Sequence, residues 1–129
     1  MFLKNTDLGA LLLRLVLGGM ILFHGLAKMI TGVGGIEVAI EQWGLPGVLA
    51  YAVFIGEVIA PAMVILGYRT SLFALLIAVN MMVAIALVHV DDIFMLGSSG
   101  GWSLELQGLF LGTALVVMLI GPGRYKMKN

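Results

Sequence analysis

The chain is predicted to be an all-α integral membrane four-helix bundle with both termini cytoplasmic. Three observations carry that prediction. Of 129 residues, 61% are apolar and only 11% are charged, where a typical soluble domain runs near half and a quarter. So small a soluble domain has too much surface for its interior and could not hide that apolar area. Four apolar runs each reach about 20 residues, the length a helix needs to cross a bilayer. The charges outside those runs segregate by sign.

The first run covers Gly9–Ile30 and stops at Gly32, Gly34 and Gly35. It is too long for a cleaved leader, contains Arg14, and is followed by no small-x-small cleavage site, so it is expected to remain as a span. In the loop Thr31–Pro46, Ile36, Ile40 and Trp43 recur at i, i+4 and i+7. That is the pattern of a short helix lying in the membrane interface over about 35–43, an anchor and lid edge or a lid that touches substrate. Gly44-Leu45-Pro46 opens the second run, Gly47–Gly67, and Tyr68-Arg69-Thr70 turns into the third, Ser71–Val90. Gly97–Gly101 and Trp102, an interfacial aromatic anchor, precede the fourth run, Ser103–Gly121. Gly121-Pro122-Gly123 ends it, so every break carries turn or helix-stop residues. Strands are excluded because the runs are apolar on all sides rather than alternating. The whole chain, 1–129, reads as one domain.

Lys4, Arg69, Arg124, Lys126 and Lys128 fall on one side with Asp7, whereas Glu37, Glu41, Asp91, Asp92 and Glu105 fall on the other with Lys28. The basic side is expected to be cytoplasmic. Four spans require both termini on one side, and the charges agree.

Composition also removes function classes. Net charge is zero, so no phosphate or nucleic-acid partner is indicated. No cysteine is present, which excludes a disulfide, thiol redox chemistry, iron–sulfur ligation and a thiolate zinc site within this chain. Haem would need two histidines at matched depth, and His24 and His89 differ by about 7.5 Å at 1.5 Å per residue. No Glu-x-x-His pair, P-loop or dinucleotide fingerprint occurs, no nucleophile elbow in a strand-to-helix setting is indicated, and no metal site is expected.

The candidate functional residues are the polar groups inside the spans, because an ionisable group in hydrocarbon normally faces the bundle interior and has a partner. On the first span Arg14, His24 and Lys28 share an arc of about 80°. Glu57 is the deepest carboxylate, about 6 Å from the depth of Arg14, so an Arg14–Glu57 pair is expected. Pro61, four residues on, offers no N–H to the Glu57 carbonyl and should disturb the helix there. Asn80 is expected to make an interhelical hydrogen bond. His89 lies about half a turn round the wheel from it, so a straight helix cannot aim both at one site. Glu105 opens the fourth span, with Gly108 and Gly112 on its face as a close-packing pair and Gln107 pointing away. Ala52, Gly56 and Ala60 make a similar small ridge on the second span, as do Ala74 and Ala78 on the third. Cationic, imidazole and carboxylate groups in one pocket can hydrogen-bond a quinone and exchange its protons. They can equally hold a small anion or a polar metabolite.

The chain resembles the DoxX family of small bacterial and archaeal membrane proteins over nearly its full length. The matching pieces are Leu12-Leu13-Arg14-Leu15-Val16-Leu17-Gly18, Phe23-His24-Gly25-Leu26-Ala27-Lys28, Gly44-Leu45-Pro46, Gly56-Glu57, Ile65-Leu66-Gly67-Tyr68-Arg69-Thr70 and Gly121-Pro122-Gly123-Arg124-Tyr125. The tail departs from the pattern, with Lys126-Met127-Lys128 where Ser-Leu-Asp is commoner. The resemblance implies a four-helix membrane protein of the bacterial inner membrane, with functional positions at Arg14, His24, Lys28, Glu57 and Glu105. It also implies a role as a membrane subunit or accessory of a quinone-linked redox or oxidative-stress system, with a quinone as cofactor. On that reading the chain is at most a non-catalytic or quinone-binding subunit of an oxidoreductase, with lipid, a redox partner subunit or further copies of itself as partners. A small-metabolite carrier, or a scaffold that holds a soluble partner through Tyr68–Thr70 and Arg124–Asn129, are the alternatives.

Overall fold

A computed structural model describes residues 4–127; Lys128 of the basic tail lies outside them. The described residues form helices joined by turns, with one isolated antiparallel bridge, Leu96–Trp102. Helix α1, Thr6–Thr31, starts where the Asn5 side chain accepts from the Leu8 amide at 3.0 Å. Asp7 in its first turn and Lys28 in its last both suit the helix dipole. Its buried stripe is Ala10, Arg14, Leu17, Gly18, Ile21 and Gly25, a single face at helical spacing. Gly32, at φ 89°, ends it.

The expected short helix is present as α2, Gly34–Gln42. Ile40 is buried with Val33 and Ala50, and Ile36 packs beside them with Val53, Phe54 and Leu87. Trp43 is the C-terminal cap rather than part of the helical face and is exposed.

The second span is a composite. Gly47–Ala52 is a 3-10 turn, Ile55–Ile59 is a π-helical turn, and α3 covers Ala60–Leu66. Pro61 explains the change of winding. It cannot donate to the Glu57 carbonyl, and the Ala60 amide instead reaches back five residues to the Ile55 carbonyl. Gly67, in the left-handed region at φ 77°, closes α3. Helix α4, Thr70–Val88, follows after a tight turn, and its inner side is Ala74, Ile77, Ala78 and Met81.

Helix α5 covers Glu105–Ile120 and begins later than the expected span. The Trp102 indole donates to the Ile93 carbonyl at 2.6 Å, and the bridge to Leu96 keeps residues 102–104 in the loop. Three helical segments, Thr6–Thr31, Gly47–Leu66 and Thr70–Val88, are long and apolar enough to cross a membrane, while α5 is a shorter apolar helix. At 1.5 Å per residue α5 is about 24 Å long, against a hydrocarbon core of about 30 Å. Gly108 is covered by the Trp102 ring and nothing lies near Gly112, so these two glycines do not form the expected close helix contact.

One core cluster joins α1, α3, α4 and α5 through Leu17, Ile21, Val64, Ile77, Ala114 and Val117. The start of α1 meets the end of the chain, where the Arg124 amide donates to Asp7 Oδ1 at 3.0 Å. The closest approach is between α1 and the second span. A methyl group at Gly25 would overlap the Glu57 carbonyl oxygen, and one at Gly18 would lie 2.8 Å from the Pro61 carbonyl oxygen. Gly25→Ala should therefore push two backbones apart and cost about 1–3 kcal/mol, as overpacked cores do. Gly19→Ala, with open space around it, should be neutral. Thermal unfolding of the two variants in detergent checks this; equal midpoints would contradict the contact.

Candidate functional site

The π-helical turn carries Glu57 into the bundle, where its side chain is 3% exposed. Lys28, in the last turn of α1, reaches inward and binds both carboxylate oxygens, at 2.8 Å to Oε1 and 2.9 Å to Oε2. Asn80, from the middle of α4, donates its Nδ2 to Oε2 at 2.9 Å. Three helical segments thus converge on one carboxylate, and both of its oxygens are satisfied, as a buried charge requires. Two glycines make the convergence fit. Gly25 lets α1 lie against the Glu57 carbonyl that Pro61 leaves free, and a methyl group at Gly56 would sit 2.6 Å from Asn80 Cβ.

The expected Arg14–Glu57 pair does not form. Arg14 is 1% exposed and spends its guanidinium on backbone carbonyls: Nε on Val64 at 2.9 Å, Nη2 on Ile65 at 2.9 Å, and Nη1 on Pro122 at 2.7 Å and Tyr125 at 2.5 Å. The depth reckoning failed because the two spans are staggered. Gly67 lies beside Arg14, well inside the start of α1, and the tail 121–127 fills the space below it, with the Met127 amide bonded to the Leu66 carbonyl. Glu57 is level with Gly25, about 16 Å from Arg14 along α1 at 1.5 Å per residue. The last-turn carbonyls of α3 have acceptor capacity left at the helix end, where Val64 receives the Gly67 amide at 3.1 Å, so they, rather than the carboxylate, take the arginine.

Beside the ion pair lies a cavity of about 510 Å³, within the usual range for a small-molecule pocket. Lys28, Glu57, Asn80 and His89 supply its polar side, and Ile36 and Ile40 of α2 border it. The remaining wall is apolar, and Ile55, Val79 and Val83, at 48, 42 and 48% exposed, face outward from the bundle. The cavity therefore opens sideways between the second span and α4. The expectation that Asn80 and His89 could not serve one site is corrected here. His89 is not on the straight helix but caps α4 at φ −120°, ψ 11°, so its ring is free of the wheel position.

A second, smaller cavity of about 100 Å³ lies against the same ion pair. His24, Lys28, Glu57, His89, Gln107 and Phe110 line it, and the His24 ring stands edge-on to Phe110 at 5.7 Å between centroids. Gln107 thus points away from the exposed Glu105 and faces a neighbouring segment, as its wheel position allowed, and its Nε2 lies 3.5 Å from His89 Nε2. Of the seven candidate residues, Lys28, Glu57, Asn80 and His89 border the large cavity, and His24 joins Lys28, Glu57 and His89 at the small one. Arg14 and Glu105 border neither; Glu105 is exposed at the start of α5. Sequence reading missed Gly25 and Gly56 as the packing that admits the ion pair. The signal was available in Gly56-Glu57 and His24-Gly25, each a glycine beside an intramembrane polar residue.

Fold and site together define a helical membrane protein whose buried, hydrogen-bonded ion pair borders a sideways-opening apolar cavity. Residues 9–90 match the DoxX family, and the chain belongs to it. Over 127 residues, 98% of this chain and 94% of the relative, it is 31% identical to a Bacillus subtilis (strain 168) protein named "Putative oxidoreductase CatD". No solved structure matches.

Proposed function

We propose that the chain is a four-span inner-membrane subunit of a quinone-linked redox system, with both termini cytoplasmic, and that the large cavity holds the quinone head. The observation that carries the reading is the pairing of an apolar, sideways-opening cavity with Lys28, Glu57 and Asn80 on one wall. A water-soluble metabolite would need polar groups around it, whereas a quinone needs an apolar slot and a few directed hydrogen bonds at its oxygens. Lys28 and Asn80 supply donors, and Glu57 or His89 supply a proton acceptor for the hydroxyl of the reduced form. The isoprenoid tail would leave past Ile55, Val79 and Val83 into the lipid. The name of the relative is consistent with a redox role. With no cysteine in the chain, the electrons would come from a partner subunit or another bound cofactor.

The test is lipid extraction from purified protein, together with thermal unfolding in the presence of a short-chain quinone. Quinone should be retained, and added quinone should raise the melting temperature. Val83→Trp fills the mouth without touching the ion pair and should weaken binding at least about tenfold, the loss of about 1.4 kcal/mol. Absence of extracted quinone together with no thermal shift would overturn the reading.

A further inference from the structure

The Lys28–Glu57 pair separates two cavities of opposite character, and the smaller has no place in ligand binding as described so far. Its volume, about 100 Å³, has room for about three waters at roughly 30 Å³ each. Lys28, Glu57, His24, His89 and Gln107 supply the two to four polar partners that each buried water needs. His24, Lys28 and His89 all link this space to the surface, His24 being exposed and the Lys28 side chain 31% exposed, and His89 is the one that contacts an acidic residue of the loop. Its Nδ1 lies 3.4 Å from Asp92 Oδ2, on the 3-10 turn Val90–Asp92, and its Nε2 faces Gln107 and the cavity. The His89 and Asp92 side chains are 32 and 47% exposed, while Glu57 is 3% exposed. Glu57 is therefore shielded from bulk water and exchanges protons with it through neighbouring groups or waters in the cavity.

We propose that the small cavity is a water-filled vestibule through which the buried site exchanges protons with the aqueous phase on the side of the 89–104 loop, with His89 as the relay. An imidazole accepts at one ring nitrogen and releases from the other, and here the two nitrogens face Asp92 and the vestibule. The groups that bear on His89 are Asp92 and Asp91 beside it, Gln107 on α5, Lys28 and His24 on α1, and Glu57 on the π-helical turn. Each step is acid–base only: one O–H or N–H bond breaks, one forms, and no electrons move. Protons then reach the large cavity from behind the ion pair, while the ligand enters from the opposite, apolar side. The relay's purpose rests on the quinone reading; the wetness of the vestibule does not.

The experiment has two arms on the full chain in lipid nanodiscs. The native sequence has no cysteine, so single thiols report without background. Thiols at Gln107→Cys, at Ser98→Cys in the exposed loop, and at Ala114→Cys in the core are exposed to silver ion, and protection from later alkylation is read. Gln107→Cys should react within about tenfold of Ser98→Cys, and Ala114→Cys at least about a hundredfold slower, since thiol reactivity follows access. A Gln107→Cys rate as low as that of Ala114→Cys overturns the vestibule. In the second arm, bound short-chain quinone is reduced with two equivalents of hexaammineruthenium(II), a one-electron reductant that releases no proton on oxidation, so the two protons taken up to form the quinol come from the medium. A pH indicator follows the uptake. His89→Phe should slow uptake about tenfold or more at saturating quinone and be rescued by added imidazole. Unchanged uptake in His89→Phe overturns the relay. If wild-type protein binds no quinone, the ligand reading falls, and the silver arm still decides the vestibule.

Discussion

Arg14→Leu should lower the stability of the protein by about 3–5 kcal/mol, because it leaves several buried backbone carbonyls without their charged donor. The guanidinium gathers four carbonyls from two separate stretches of chain, Val64 and Ile65 at the end of α3, and Pro122 and Tyr125 in the tail. Each buried carbonyl left without a donor costs about 1–3 kcal/mol, though water at this end of the bundle can recover part of that. Arg14→Lys should recover less than half of the loss, because one ammonium cannot present the planar fork that reaches both stretches. Thermal unfolding measures the loss, and limited proteolysis of the tail shows where it acts. A variant that melts like wild type with a protected tail would refute the clamp.

Lys28→Met should be about as damaging, roughly 3–5 kcal/mol, because it leaves the Glu57 carboxylate buried with Asn80 as its remaining side-chain partner. Lys28→Met combined with Glu57→Gln should return to within about 1 kcal/mol of wild type, since no buried charge remains and a glutamine oxygen can still accept from Asn80. This non-additivity distinguishes an ion pair from two independent residues, and a full double-mutant cycle by thermal unfolding reads it. The double variant also separates folding from function: it should be stable yet retain little quinone. If the two substitutions simply add, the pair is not coupled as its 2.8 Å contact requires.

The positions of the first and third spans and the short helix over 35–43 were legible, because hydrophobic runs and glycine stops act locally. So was the disturbance at Pro61, since the missing N–H is a property of the residue itself. The partner of Glu57 was not legible. Depth counted from the ends of apolar runs assumes that neighbouring helices begin and end level, and here the second span stops beside Arg14 while the tail folds beneath it. The wheel placed Gln107 opposite Glu105, but its partner His89 was equally hidden, because the loop 89–104 sets where the end of α4 meets the start of α5.

Composition and periodicity thus sufficed to establish an all-helical membrane protein, its breaks, and that Arg14, Lys28, Glu57 and Asn80 sit within apolar helical segments. Those properties follow from the cost of placing each residue in lipid or in a helix, which is a property of short stretches. Which of those side chains meet was settled by the stagger of the helices, the π-helical turn and the glycine contacts at Gly25 and Gly56. Charges pair across a few ångströms, and a shift of one helical turn, about 5.4 Å, exchanges one partner for another.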